Sequence, residues 1–174
     1  MNNSESTVNK NWFALYTKPR HEFKAALQLE SVKVNFYLPV VTKIRQWSDR
    51  KKKITEPLFG GYIFIHGNEK ERLTALEQPA IVRTICFNGR PAVIPDWQIE
   101  SLKRMLESKR EVTVSNQLQV GARIKVTSGP FKDVEGVVYI SNKHEKMLAI
   151  TIELINRSVI VHLPPESVTK QVDN

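Results

Sequence analysis

The stretch VGARIKVTSGPFKDVEGVV, residues 120–138, constrains the fold more than any other segment of the chain. It contains two alternating apolar runs, which predict paired β-strands, on either side of a tight corner at residues 128–131. Its glycines stand where a small barrel bends sharply or needs a positive φ. Phe131 is large enough to fill much of a small core. The stretch predicts the start of a small β-barrel, although an ordinary hairpin from another small barrel would show the same pattern.

Every predicted element beyond residue 120 is a strand, whereas strands and helices alternate before it. The predicted strands are Trp12–Thr17, Phe36–Val41, Pro57–Ile65, Val82–Phe87, Ile124–Thr127, Val134–Ile140, Leu148–Leu154, Val159–Leu163 and the segment at Val168. The predicted helices cover residues 20–32, 68–77 and a segment beginning at Pro95, and the apolar face of the first helix is expected to contain Phe23, Ala26, Leu27 and Leu29. The strands lack the continuous apolar runs of a parallel sheet, so we predict an α+β fold with helices on a mostly antiparallel sheet, followed by an all-β domain.

The distribution of charge changes close to the point where the predicted elements change from mixed to all-strand. Residues 1–110 carry 19 Lys and Arg against 11 Asp and Glu, whereas residues 111–174 carry 7 of each, so the whole net charge of +8 lies in the first part. A basic surface attracts polyanions, most often nucleic acid, although it also serves solubility. Residues 111–119 are polar and aperiodic, which predicts a linker. We therefore expect a disordered tail at 1–10, a first domain at 11–110, a linker at 111–119 and the barrel at 120–170.

Several classes of protein are disfavoured by the sequence. No run of about 18 apolar residues exists, and the polar residues 1–10 lack the apolar core of a signal peptide. Cys86 is the only cysteine, which rules out an internal disulfide and fits a reducing cytoplasm, and we expect its thiol to be buried in an apolar strand. The acids are dispersed, the histidines show no zinc-ligand spacing, and no P-loop or nucleophile elbow occurs. The sequence predicts a protein without catalytic activity, metal or cofactor.

An ordered set of motifs resembles the NusG family. The set begins with NWFALYTKPRHEFKAALQLE, continues with PLFGGYIFI and ends with the KOW motif at residues 120–138, so it covers nearly all of residues 11–170. The resemblance implies an N-terminal NGN-like antiparallel sheet with flanking helices and a C-terminal all-β KOW (SH3-like) barrel. Residues 45–53, RQWSDRKKK, resemble more closely the specialised members, the UpxY-type antiterminators of polysaccharide operons, with RfaH as a more distant relative. Two departures are Gly60, where many members have proline, and Asp133, often glycine in the KOW pattern.

The resemblance implies that the first domain binds the coiled-coil clamp helices of the largest subunit of RNA polymerase. The positions that match the docking motifs are Tyr16, Tyr62, Phe64 and Ile99. Strand alternation would place Tyr62 and Phe64 on one face and Ile63 and Ile65 on the other, so that one pair meets a partner and the other the core. All four docking positions could instead lie in the core. By a weaker match, Arg72 and Thr74 fall where relatives touch the polymerase gate loop.

Two basic regions are candidates for binding nucleic acid. The first contains Lys18, Arg20, His21 and Lys24, which crowd a predicted helix start although cations there oppose the helix dipole. The family's candidate ligand for them is the non-template DNA strand, with His21 on a base edge, and the alternative is a solvated face. The second is a polar arm, residues 43–55, with Trp47, Arg50, Lys51, Lys52 and Lys53. Interleaved cations and an aromatic suit single-stranded nucleic acid or an upstream duplex, and the alternative is a charged hairpin with Trp47 folded back on the sheet.

These observations predict an operon-specific transcription elongation and antitermination factor, serving a polysaccharide biosynthesis operon in the cytoplasm. Its expected partners are the clamp helices of RNA polymerase and the non-template DNA strand, with Rho or a small-subunit ribosomal protein bound by the KOW barrel and no membrane involved. Two alternatives remain open: a general NusG elongation factor, and a ribosome-associated KOW protein that binds RNA.

Overall fold

The computed structural model describes residues 9–47, 49–117, 119 and 121–172. The chain divides into two compact units, Met1–Val93 and Ile94–Asn174. The predicted tail lies outside the described residues except for Asn9 and Lys10, as does Val120 at the predicted start of the barrel. None of the helices in the described residues combines the length and the apolar character needed to cross a membrane.

The first unit contains a small antiparallel sheet, two helices and two separate hairpins. Its elements are β1 (Asn11–Thr17), α1 (Glu22–Ser31), β2 (Phe36–Tyr37), β3 (Val40–Gln46), β4 (Lys51–Pro57), β5 (Tyr62–Gly67), α2 (Glu69–Leu76), β6 (Ile81–Thr84), β7 (Cys86–Phe87) and β8 (Arg90–Pro91). The sheet order is β2-β5-β1-β6, and β9 (Val93–Ile94), where the units divide, also pairs with β1. The pairs β3-β4 and β7-β8 each form a two-stranded ribbon of their own.

The core of the first unit lies on one face of this sheet. Phe13 and Leu15 of β1 pair with Ile65 and Ile63 of β5, and all four are buried with residues of both helices. The predicted apolar face of α1 is wrong in part, because Phe23 is 46% exposed and Leu27 is 68% exposed. The helix instead buries Glu22, Ala25 and Leu29. Its orientation follows from a hydrogen bond that the carboxylate of Glu22 accepts from the backbone N–H of Gly61, at 2.7 Å.

Local signals account for the bounds of the remaining elements. Asn68 forms a capping box with Glu71, so α2 begins directly after it. The predicted strand at 57–65 begins only at Tyr62, because Pro57 ends β4 and a turn intervenes. The polar arm is a regular hairpin, with Cα partners running from Val40 opposite Pro57 to Gln46 opposite Lys51.

The second unit is rich in strands. Its elements are α3 (Asp96–Glu107), β10 (Thr113–Ser115), β11 (Ala122–Ser128), β12 (Glu135–Ile140), β13 (Lys146–Ile152), a 3₁₀ turn (Glu153–Ile155), β14 (Arg157–His162) and β15 (Val168–Gln171). The antiparallel strand order is β10-β14-β13-β12-β11-β15. Phe131 is 1% exposed, as the sequence predicts. Asp133 has a φ of 68°, which explains why glycine suits its position. A Cβ at Gly136 would stand 2.5 Å from the carbonyl oxygen of Ala149. The predicted fold class, α+β with a small all-β domain, is confirmed.

Helix α3 packs against β12 and β13 within this second unit. The Ser101 hydroxyl accepts a hydrogen bond from the N–H of Glu135 at 2.9 Å. The Arg123 guanidinium lies 4.2 Å from the centre of the Trp97 ring. Part of the predicted linker forms β10, which pairs with β14. Helix α3 and strand β10 therefore belong to the same compact unit as the barrel strands. The predicted domain bounds stay a prediction.

We expect residues 94–174, expressed alone, to unfold at a higher urea concentration than residues 118–174. The shorter fragment lacks β10 and the buried side chains of α3, and each buried side chain of that size contributes about 1.5–3 kcal/mol. Circular dichroism during urea titration measures the difference. Ser101→Ala in the longer fragment should lower its midpoint as well, because it leaves the Glu135 N–H without its acceptor. Equal midpoints for the two fragments would contradict this prediction.

Candidate functional site

The sheet face opposite the core of the first unit carries a row of aromatic residues. Strand alternation gives β1 and β5 two faces, and the register places Tyr16 opposite Tyr62 and Ala14 opposite Phe64. The rings of Tyr16 and Tyr62 meet edge to face with centroids 5.5 Å apart, a favourable geometry for an aromatic pair. Both tyrosines are partly exposed. This pair, called here the tyrosine edge, combines apolar ring surface with two hydroxyl groups.

Phe64 lies on the same face of β5 as Tyr62 and packs against two other aromatic rings. Its ring packs edge to face against Phe59 at 6.1 Å and is stacked with Tyr37 at 6.5 Å. Phe64 itself is fully buried. It is therefore not accessible as a docking residue in this conformation, and its contacts fix the strand that carries Tyr62.

The turn that leads into β5 fixes the position of Tyr62. Gly61 has a φ of 84°, a conformation that glycine adopts without strain. Its N–H donates to Glu22, and its carbonyl accepts from the N–H of Thr17 at 2.9 Å. A Cβ at Gly61 would stand 3.1 Å from the Tyr16 ring.

A cation lies beside the tyrosine edge. The guanidinium carbon of Arg83, which faces Tyr16 across the β1–β6 pair, is 5.7 Å from the centre of the Tyr16 ring. Sequence reasoning did not single out Arg83. Strand alternation in the run Ile81–Thr84 is the signal that would have placed it on this face.

Of the other residues predicted to bind polymerase, two are buried and one is partly exposed. Ile99 lies in α3, in the second unit, and is fully buried. Arg72 is 7% exposed, and its guanidinium donates to the carboxylate of Glu69 at 2.9 Å and 2.5 Å and to the hydroxyl of Thr84 at 2.9 Å. The hydrogen bond to Glu69 raises the pKa of Arg72. The charge of Arg72 is thus satisfied internally, whereas Thr74 is partly exposed.

The first basic region surrounds the start of α1. Lys18, Arg20 and Lys24 are exposed, and none of them forms an ion pair with a described residue. Arg20 has a φ of 59° in the turn before the helix. The imidazole Nδ1 of His21 donates to the Pro19 carbonyl at 2.8 Å, which leaves Nε2 as its other polar atom. The structure brings these four predicted residues together, as the spacing requires.

The second basic region is the β3–β4 hairpin. Trp47 is 53% exposed, and the Lys52 ammonium lies 6.0 Å from its ring centre. The carboxylate of Glu56 binds Lys43 at 2.5 Å and Arg45 at 3.3 Å. The Lys43 hydrogen bond, more than any other contact, lowers the pKa of Glu56. Sequence reasoning missed this internal neutralisation, because Glu56 is 13 positions from Lys43 in the chain.

A short hairpin after β6 was also missed. Asn88 and Gly89 connect β7 and β8 with φ values of 49° and 75°, which is typical of a two-residue hairpin turn. Phe87 is 72% exposed beside it. Cys86 is exposed on the same hairpin, so the prediction of a buried thiol is wrong. An isolated two-residue strand has no second layer to cover its side chains, and the Asn-Gly pair was the available signal.

Comparison with known proteins identifies the family of this chain. The family model NusG, described as transcription termination factor nusG, matches residues 10–103. The transcription termination/antitermination protein NusG of Pasteurella multocida is 23% identical and aligns with 96% of this chain and 98% of its own length. The protein of the same name from Thermus thermophilus is 27% identical, with 91% and 97% covered. A solved structure described as domain interaction in Thermotoga maritima NusG is 22% identical with a TM-score of 0.45, covering 89% of this chain and 93% of that one. Because the family model matches more than half of the chain, this protein belongs to the NusG family.

Proposed function

We propose that this NusG-family protein is an operon-specific transcription elongation and antitermination factor. It binds the clamp helices of RNA polymerase through the tyrosine edge and contacts the non-template DNA strand with the basic start of α1. It has no catalytic role: it acts by remaining bound to the polymerase and suppressing pausing or termination. The observation that carries this proposal is the partly exposed Tyr16–Tyr62 pair on the sheet face opposite the core.

The tyrosine edge has the properties of an interface hot spot. Tyrosine is among the residues enriched there, because it buries a large rigid ring and keeps a hydroxyl for a hydrogen bond. The rings are held in advance by the β1–β5 register, by the Gly61 turn and by the Phe64 cluster. Preorganisation of this kind lowers the entropy lost on binding. A coiled coil buries its apolar seam between the helices, so the tyrosine edge, which offers both ring surface and hydroxyl groups, suits the mixed outer surface that the coiled coil presents.

The basic start of α1 supports contact with single-stranded DNA. Lys18, Arg20 and Lys24 are exposed and lack acidic partners among the described residues, so their charges are available to phosphate. Phosphate neutralisation releases counterions and supplies most of the affinity of such contacts. His21 Nε2 is the group that we propose reads a base edge.

The choice between a specialised factor and a general one depends on the β3–β4 hairpin. The hairpin extends the basic surface with four consecutive cations, Arg50 to Lys53, beside an exposed tryptophan. We take this as support for a specialised factor that acts on a polysaccharide operon in the cytoplasm. The alternative is a general NusG elongation factor, and both relatives described above carry the name NusG. For the barrel, Rho or a small-subunit ribosomal protein remains the proposed partner.

We expect the double substitution Tyr16→Ala and Tyr62→Ala to weaken binding to an isolated clamp-helix fragment by more than about 30-fold. Truncation of a hot-spot aromatic often costs about 2 kcal/mol or more, and here two are removed. Isothermal titration calorimetry gives the affinity, and circular dichroism checks the fold. Phe87→Ala is the matched control, because it removes an exposed ring from the same unit, on the separate β7–β8 ribbon. A folded double variant that binds as tightly as the wild type would exclude the tyrosine edge as the docking site.

We expect removal of the three cations at the start of α1 to weaken recruitment to a paused elongation complex but not binding to clamp helices. The variant is Lys18→Ala, Arg20→Asn and Lys24→Ala, with asparagine chosen because residue 20 has a positive φ. Each lost contact with single-stranded DNA should flatten the slope of log K against log salt by about 0.7. The control removes three exposed lysines of the second unit, Lys132, Lys143 and Lys146. The same loss in both triple variants would mean that the net charge, rather than this site, drives recruitment.

A further inference from the structure

The two faces of the β3–β4 hairpin differ in how their cations are used. The ribbon pairs with no other strand among the described residues, and most of its own residues are exposed. Residues directly opposite each other in an antiparallel pair share a face, and the faces alternate along each strand. One face, called here the paired face, carries Val41 with Glu56, Lys43 with Ile54, and Arg45 with Lys52. The other, called here the open face, carries Thr42 with Thr55, Ile44 with Lys53, and Gln46 with Lys51.

Cations of the paired face already have partners within the protein. Glu56 holds Lys43 and Arg45 with the same carboxylate, and its lowered pKa keeps that carboxylate ionised at neutral pH. Lys52 lies over the Trp47 ring, and Arg50 at the tip is 3.8 Å from the carboxylate of Asp49. A phosphate that approaches Lys43 and Arg45 therefore competes with the carboxylate of Glu56 for these cations.

The open face carries cations without such partners. Lys51 and Lys53 are exposed and form no ion pair with any described residue. They lie two positions apart on one strand, so their Cα atoms are about 6.7 Å apart along it. The rest of the face is uncharged: Thr42 and Thr55 hydrogen-bond to each other at 3.1 Å, and Ile44 is 65% exposed.

We propose that the open face alone of the hairpin binds the phosphate backbone of nucleic acid, through Lys51 and Lys53, and that Glu56 determines this side by occupying the cations of the paired face. The inference deepens the proposed function and rests on it only in taking nucleic acid as the partner of the arm. Lys51 and Lys53 give up only hydration and mobile counterions on binding phosphate, whereas Lys43 and Arg45 would also give up Glu56. Lys51 and Lys53 are point charges on flexible stems, which neutralise phosphate without a fixed geometry toward a base edge. The contact therefore follows the backbone and is largely independent of sequence.

The test compares two double variants of the full-length protein that lose the same charge from opposite faces. One is Lys51→Ala with Lys53→Ala, and the other is Lys43→Ala with Arg45→Ala. Binding to mixed-sequence DNA, as a duplex and as a single strand, is followed by fluorescence anisotropy over a range of salt concentrations. Loss of the open-face lysines should reduce the slope of log K against log salt by about 1.8 on duplex or about 1.4 on single-stranded DNA, and the form with the larger loss of affinity is the form bound. Loss of the paired-face cations should reduce it by less than half as much.

Glu56→Gln is a second variant that tests the role of the carboxylate directly. It keeps the shape of the side chain and removes its charge, so Lys43 and Arg45 become available to phosphate. We expect it to raise the affinity for DNA and to steepen the salt dependence. Equal slopes for the two double variants, or no gain in affinity from Glu56→Gln, would overturn the proposal.

A failure of this inference can be distinguished from a failure of the proposed function. Docking on clamp helices uses the tyrosine edge and involves no hairpin residue, so it is measured with the same variants as an independent quantity. Loss of face selectivity with intact clamp-helix binding would refute this inference alone. Face-selective DNA binding by a protein that does not bind clamp helices would support the inference and refute the proposed function.

Discussion

The pairing of β1 with β5 determines what every other part of the first unit can do. Its register places Tyr16 opposite Tyr62 on one face and Leu15 opposite Ile63 on the other. A slip of one residue would exchange the faces, sending the tyrosines into the helices and the core residues out to solvent. Two hydrogen bonds at Gly61, from Thr17 and to Glu22, secure the end of this register where the tyrosines lie. The candidate docking surface is thus a consequence of the same interaction that buries the core.

The periodic parts of the structure could be predicted from the sequence. Alternation in Tyr62–Ile65 assigned the two faces of β5 correctly, and the corner at residues 128–131 marked the connection between the paired strands β11 and β12. Local features could also be predicted, because Asn68 is a residue that caps the start of a helix and Asp133 tolerates a positive φ. These features depend on neighbours within a few residues, where propensity and spacing carry the information.

The features that could not be predicted depend on residues far apart in the chain. Glu22 and Gly61 are 39 positions apart, and their hydrogen bond accompanies the burial of Glu22 on a helix whose Phe23 faces outward. Arg72 was expected at a partner's surface, but Glu69 and Thr84 satisfy its guanidinium inside the unit. Glu56 divides the cations of the arm between two faces, which no count of charges reveals. Whether a cation is available to a binding partner can be judged only when its ion pairs and hydrogen bonds within the folded protein are known.

Photocrosslinking from position 62 tests the central claim most directly, because it asks what the tyrosine edge touches in an assembled elongation complex. A photoreactive phenylalanine derivative at position 62 should crosslink to the clamp helices of the largest polymerase subunit, and the same group at position 87 should not. The ring of the derivative replaces a partly exposed tyrosine and leaves the β1–β5 register in place. Crosslinking from position 87 to the clamp helices with none from position 62 would contradict the account.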